Sequence, residues 1–100
     1  MNGIPLTITF PAPGFFLNDS RLSVWFDGHP IYDGSFLAGF ETSFPVFSGT
    51  HTLALRLTTP VFNREKQYPI VVEPANGYRI VLDYSRFWGN FTGAPQITRY

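Results

Sequence analysis

No cysteine occurs in the chain of 100 residues, and charged residues make up only 14% of it. The missing cysteine excludes a disulfide framework, a zinc ribbon and a thiol nucleophile. Seven basic residues balance seven acidic ones, so the formal net charge is zero. The electrostatic signature of a nucleic-acid binder or an anionic-membrane binder is therefore missing as well, and we expect neither partner.

Long apolar runs are equally absent. No window approaches the ~18 consecutive apolar residues of a membrane span, so we expect no membrane span. Residues 1–10 lack the basic start and the long apolar stretch of a secretory signal. The lack of cysteine suits a reducing cytoplasm without demonstrating one, and the sequence leaves the compartment undetermined.

The chain offers few groups for catalysis. It contains no glycine-rich nucleotide motif and no nucleophile elbow. Its two histidines, His29 and His51, both lie beside tight turns, and His29 stands between Asp27 and Asp33. A metal or hydrolase site would require His51 to fold next to His29, because metal sites need three or four converging ligands. We favour turn residues here and expect no enzyme, no metal and no cofactor.

Hydrophobic residues are plentiful, at 44% of the chain with 18% aromatic, and they alternate with polar ones at a period of two. That period is typical of half-buried strands. Asp27-Gly28 and Asn76-Gly77 each predict a two-residue hairpin turn, and Asp33-Gly34 is expected to end a strand. Residues 63–67 are expected to form a connection or an exposed strand end. The predicted strands cover residues 4–10, 22–26, 29–32, 40–46, 50–59, 68–73 and 78–84, with a short final strand over 97–100.

These strands and turns predict one all-β domain over residues 1–100. Seven or eight short strands, with turn signals every ~8–12 residues, are typical of a sandwich or a small barrel. We expect an immunoglobulin-like antiparallel β-sandwich. The alternative is a small closed β-barrel, which has a similar alternation.

The middle of the chain, residues 22–85, resembles PEGA-type domains, which are small bacterial β-sandwich modules. Four segments carry the resemblance: Val24-Trp25-Phe26-Asp27-Gly28, Gly34, Ser48-Gly49-Thr50-His51-Thr52-Leu53 and Gly77-Tyr78-Arg79-Ile80. Such modules are noncatalytic surface or interdomain units, and the resemblance implies the same class of role here. The chain departs from the pattern at Ser35-Phe36-Leu37, where Thr-Pro is usual, and at Ser48, where proline is usual.

Aromatic residues outside the predicted inner faces are the candidate binding residues. One cluster, residues 15–17, follows a proline-rich turn, and the other, residues 87–91, follows a predicted strand. Both are expected in loops, and loops normally lie at the surface. They either close an end of the sandwich as plugs or form a binding patch. Trp25 faces away from its apolar strand neighbours, and Arg86 could make a cation–π contact with the rings that follow it. The candidate binding residues are Phe15, Phe16, Trp25, Arg86, Phe87, Trp88 and Phe91.

The leading functional hypothesis is a noncatalytic protein-interaction or structural module. Its expected partner is another protein, within a larger chain or free, or a second copy of itself. Pairing through sheet edges is a plausible route, because few lysines protect the predicted edge strands. The alternative is a carbohydrate-binding module that uses Trp25 or Trp88 as a stacking platform. A small hydrolase or metal site around His29 ranks third.

Overall fold

The computed structural model describes residues 3–12, 19–85, 90–91 and 93–100. Every regular element in these segments is a strand. The described residues therefore contain no helix long and apolar enough to cross a membrane. The strands are β1 (Ile4–Phe10), β2 (Arg21–Phe26), β3 (His29–Ser35), β4 (Phe40–Val46), β5 (Gly49–Thr58), β6 (Asn63–Val72), β7 (Tyr78–Val81), β8 (Tyr84–Ser85), β9 (Asn90–Phe91) and β10 (Gln96–Arg99).

Eight of these strands form two four-stranded sheets. The first sheet has the order β10-β7-β1-β4 and the second has the order β3-β2-β5-β6. Pairing is antiparallel throughout, except that β1 and β7 run parallel. Strands β8 and β9 form a separate two-residue pair. The expected small all-β sandwich is confirmed, and the closed-barrel alternative is wrong because the strands divide between two sheets.

The core lies between the two sheets, and strand alternation builds it. In β5, Leu53, Leu55 and Leu57 point inward and are buried, while Arg56 and Thr58 point outward and are exposed. Aromatic side chains join the sheets near the β3 and β4 edges, where Tyr32 stacks on Phe40 with 4.6 Å between ring centroids. Among the described residues no polar or charged side chain is buried. The alternation therefore keeps polar side chains out of the core in this part of the chain, although a few large apolar side chains remain exposed.

The Asp27-Gly28 turn joins β2 and β3 as the sequence predicts. Both residues have positive φ, 51° and 81°, which is the geometry of a type I′ hairpin turn. The return strand does not end at Asp33-Gly34 but continues to Ser35. Arg21 holds Asp33 within the sheet through two hydrogen bonds, one of them 2.6 Å from Nε to Oδ1.

The hairpin predicted at Asn76-Gly77 is wrong. Strand β6 belongs to the second sheet and β7 to the first, so this segment crosses between sheets. Gly77 does not have the positive φ that a type I′ turn requires. The Tyr78 hydroxyl accepts a 2.8 Å hydrogen bond from the backbone N–H of Glu73 and donates one of 3.1 Å to its carbonyl. These two bonds shape the crossover.

Residues 63–67 are the exposed first half of β6 rather than a free connection. They pair in register with the second half of β5. Arg56 of β5 and Glu65 of β6 stand opposite each other, and their side chains form an ion pair of 2.6 Å on the solvent face. Cross-strand ion pairs of this kind stabilise a register modestly, and they let a polar stretch continue the sheet.

Candidate functional site

Five of the seven predicted binding residues lie outside the described residues. The remaining two, Trp25 and Phe91, have different environments. The five that cannot be placed are Phe15, Phe16, Arg86, Phe87 and Trp88.

Phe91 belongs to the core, which corrects its assignment to a binding surface. Its side chain is only 4% exposed. Its ring contacts Tyr84 edge-on at 5.2 Å and Phe10 at 6.1 Å. Edge-to-face packing of this kind is favourable inside a core. The β9 aromatic therefore acts as a plug, one of the two alternatives that the sequence leaves open.

Trp25 lies half-buried on the solvent face of the second sheet. Its register partners are Pro30 on one side and Ala54 on the other. The small Ala54 side chain leaves a shallow depression of about 210 Å³ next to the indole. The guanidinium of Arg56 stands over the ring, 5.7 Å from its centroid, and also binds Glu65. The indole is thus a flat aromatic surface flanked by charged side chains.

The structure brings His51 to Asp27 rather than to His29 and Asp33. The His51 Nδ1 lies 2.5 Å from Asp27 Oδ2, and its Nε2 lies 2.8 Å from the Phe47 carbonyl oxygen. The other Asp27 oxygen accepts a 2.8 Å hydrogen bond from the backbone N–H of Thr52. Asp33 is bound by Arg21 instead. Of the contacts that a metal or hydrolase site would require, the described residues form the Asp27–His51 pair, and His29 lines the same groove.

Both ring nitrogens of His51 face acceptor oxygens, so both must carry a proton to donate. Both contacts are therefore satisfied at once when the ring is the imidazolium cation. Burial works against the charge, but the hydrogen bonds to Asp27 and to the Phe47 carbonyl outweigh it and raise the pKa of His51. Burial likewise acts to raise the pKa of Asp27, yet the hydrogen bonds from His51 and Thr52 lower it overall. The pair is an ion pair over the pH range between the two pKa values.

An apolar groove of about 430 Å³ adjoins this ion pair. It opens where the β3 edge of the second sheet faces the β4 edge of the first, and we call it the edge groove. The Phe26 ring packs against Phe44 and against the His51 ring, each with 5.1 Å between centroids. Phe47 lies at the rim with 60% of its surface exposed. The apolar lining comprises Phe26, Ile31, Phe44, Pro45, Val46 and Phe47, and the polar residues are Asp27, His29 and His51.

The edge groove combines apolar surface with one hydrogen-bonded histidine–carboxylate pair. General-base catalysis needs a side chain with a free lone pair, and an imidazolium whose two N–H groups are both engaged has none. In the part of the chain that the structure describes, no three His, Cys, Asp or Glu side chains are grouped to hold a metal. What the groove offers is apolar surface with a fixed charge pair at its margin, a common composition for binding sites.

A wider, shallower depression of about 770 Å³ lies near Asp19, beside Arg21 and Thr58. Its charged groups are bound by neighbouring protein groups. Asp19 accepts a 2.5 Å hydrogen bond from the Ser35 hydroxyl and one of 2.9 Å from the Leu37 N–H. Arg21 forms an ion pair with Asp33. These contacts shape the connection that follows β3, and they account for the charged residues without a ligand.

In comparisons with protein-family models, curated proteins and solved structures, nothing matched the chain significantly.

The edge groove is absent from the sequence-based list of candidate residues. One local signal points to it: Phe47 directly follows the inward-facing Val46 and precedes the Ser48-Gly49 turn. An aromatic residue at that place breaks the alternation of β4. The other apolar lining residues are alternating strand positions and are indistinguishable from core. Only the opposition of the β3 and β4 edges makes them line a groove.

Proposed function

We propose that the protein is a noncatalytic interaction module that holds an apolar side chain of a partner protein in the edge groove. The observation that carries the proposal is Phe47, a large apolar side chain left 60% exposed at the rim of an apolar groove. Exposed aromatic residues beside grooves are typical of binding surfaces. The fixed Asp27–His51 pair adds polar groups at the margin, where interfaces are normally polar.

Several features support a binding module over an enzyme. The sandwich has two four-stranded sheets and a parallel β1–β7 pair, which supports an immunoglobulin-like class in the broad sense, where strand order varies between families. The resemblance to PEGA-type domains favours the same noncatalytic role, although fold alone never determines function. His51 pairs with Asp27, and while it is protonated both of its N–H groups are engaged, which favours a structural role for this histidine.

Selection from a random peptide display library tests this proposal. We expect enrichment of peptides with an aromatic or large aliphatic anchor. Their binding should weaken at least about tenfold in Phe47→Ser, a loss of about 1.4 kcal/mol. Val61→Ser is the matched control, because Val61 is the more exposed side chain at 84% but lies outside the groove. Failure to enrich any peptide, or binding that depends on Val61 and not on Phe47, would refute the proposal.

A second candidate is carbohydrate binding at Trp25, and the flat indole beside Ala54 favours it. Sugar rings stack on aromatic faces, so a bound sugar would displace the Arg56 guanidinium from over the ring, and Glu65 and Gln67 line the same depression. A glycan panel read by tryptophan fluorescence tests it, with Trp25→Phe as the test variant and Trp88→Phe to leave Trp25 as the only tryptophan. A signal that survives in Trp25→Phe, or no signal from any glycan, counts against this candidate.

A further inference from the structure

Each of the two described four-stranded sheets has two edge strands, and three of these four strands contain proline. Pro30 lies in β3, Pro45 in β4 and Pro69 in β6. Proline has no N–H to donate and is tolerated in an edge strand where its nitrogen faces solvent. Each of these strands therefore presents an interrupted edge to an incoming strand, which is a common protection against edge-to-edge pairing. The scarcity of lysine led us to expect unprotected edges, but proline protects these three edge strands.

The fourth edge, β10, has no such protection. Its four residues include neither proline nor lysine, and all four are exposed. Of the described strands, only β7 pairs with β10, which leaves the other side of β10 open. This edge belongs to the first sheet, and it lies at the opposite end of that sheet from β4 and the edge groove.

The hydrogen bonds to β7 determine which backbone groups face the open side. Gly77 and Tyr100 exchange two hydrogen bonds of 3.0 Å each. In an antiparallel pair such reciprocal bonds recur at every second residue, so Thr98 also bonds toward β7. The N–H and C=O groups of Ile97 and Arg99 consequently point away from β7, toward the open edge.

The side chains of β10 suit a partner strand. Ile97 is paired with the fully buried Ile80, so its side chain is on the core side of the sheet, yet it remains 44% exposed. Arg99 binds Glu73 through a 2.7 Å ion pair, so the edge has no unpaired charge at that position. A strand added here would cover the apolar surface of Ile97. It would leave the Arg99–Glu73 ion pair intact.

We propose that the open edge of β10 pairs antiparallel with β10 of a second copy of this chain, about a two-fold axis through Thr98. Ile97 and Arg99 are equally spaced on either side of Thr98, so each outward donor meets an outward acceptor of the second copy. The two Thr98 side chains then face each other, a favourable cross-strand pair. A second copy is the occupant that this symmetry fits, and the zero net charge removes repulsion between copies.

The size of the contact makes the association weak. Two four-residue strands bury far less than the roughly 800 Å² per partner of a stable interface. The expected behaviour is a monomer at low concentration and a dimer at high concentration. The proposal names one partner for the interaction role proposed above, but its surface is separate from the edge groove. Phe47→Ser should therefore leave self-association intact, and either proposal can fail without the other.

Sedimentation velocity and light scattering on the 100-residue chain, from about 10 µM to about 1 mM, test the pairing. We expect the weight-average mass to rise from 11.3 kDa toward twice that value. In Ile97→Pro, the lost N–H is an outward one, so the ladder to β7 survives while association weakens at least about tenfold. Ile97→Lys places a charge at the same position and serves if the proline variant unfolds.

Val71→Lys is the matched control, because Val71 is an exposed apolar residue on the proline-containing edge strand β6. It should dimerise as the unmodified chain does. The proposal is overturned if the unmodified chain stays monomeric at about 1 mM. It is equally overturned if Ile97→Lys dimerises normally, or if Val71→Lys is the variant that abolishes the dimer.

Discussion

Replacement of His51 by alanine should destabilise the fold and loosen the rim of the edge groove. The imidazolium joins three separate parts of the chain, since it donates to Asp27 at the β2–β3 turn and to the carbonyl of Phe47 before β5. A hydrogen bond to a charged group contributes about 1.5–3 kcal/mol. Asp27 is 40% exposed, so solvent screens the pair and the expected loss is about 2 kcal/mol, near the low end of that range.

The same pair makes stability depend on pH in two directions. Because the folded-state pKa of His51 is raised above 6.5, its contribution is complete below pH 6.5 and is lost as the pH rises through the folded value. Because the pKa of Asp27 is lowered below 3.8, its contribution is present above pH 3.8 and is lost as the pH falls through the folded value. The pair therefore stabilises the protein most between these limits.

Thermal and urea unfolding at several pH values measure this effect. At pH 6 we expect His51→Ala to lower the melting temperature by about 10 °C, since about 1 kcal/mol corresponds to roughly 4–8 °C in a domain of this size. His29→Gln removes the other imidazole, so the dependence above pH 6.5 that is present in this variant and absent from His51→Ala belongs to His51.

Asp27→Asn is the decisive variant. Asparagine tolerates the positive φ of 51° at this position, and its carbonyl oxygen can still accept the hydrogen bond from Thr52. Its amide would donate to a neutral His51, so the fall in stability above pH 6.5 should disappear. If the unmodified protein is equally stable from pH 5 to pH 9, or if Asp27→Asn retains the fall, the ion-pair reasoning is wrong.

Three further predictions concern the sandwich itself. Leu55→Ala, at the centre of β5, should lower the free energy of unfolding by about 3 kcal/mol; a loss below about 1 kcal/mol in urea titration would contradict a close-packed core. Phe91→Ala should lower the free energy of unfolding by about 3 kcal/mol, because the ring is buried in the core. An unchanged melting temperature in calorimetry would contradict this burial. Gly39→Ala should destabilise more than Gly28→Ala, because both have positive φ but only at Gly39 would the added Cβ lie 2.4 Å from the Phe10 carbonyl oxygen; equal melting temperatures would refute this.

Local pattern was enough to predict the eight strands of the two sheets and one turn, but not the β8–β9 pair, and the strand predicted over 78–84 ends at Val81. The alternation around Leu55 and the Asp27-Gly28 pair both depend on neighbours in sequence, so they could be recognised without the fold. Asn76-Gly77 has the same kind of turn chemistry but joins two sheets, because a turn signal does not say which strands pair. The prediction failed there for lack of long-range information.

The candidate site was less predictable than the fold. Phe91 and Trp25 are both aromatic residues near turns or outer faces, yet one is core and the other lies half-buried on a sheet face. His51 and Asp27 are 24 positions apart and become partners only when β5 pairs with β2. The histidine that stands between two aspartates in sequence, His29, does not form the ion pair.

The sequence by itself determined that this chain is all β, lacks thiol chemistry and has no net charge, since composition and a period of two are local properties. The tertiary structure alone decided which edges are open and where the groove lies. Edges and grooves are relations between strands distant in sequence, and their pairing is selected by the burial of shared apolar surface. For that reason neither Phe47 nor Ile97 was a candidate binding residue from the sequence, although each lies on one of the two proposed binding surfaces.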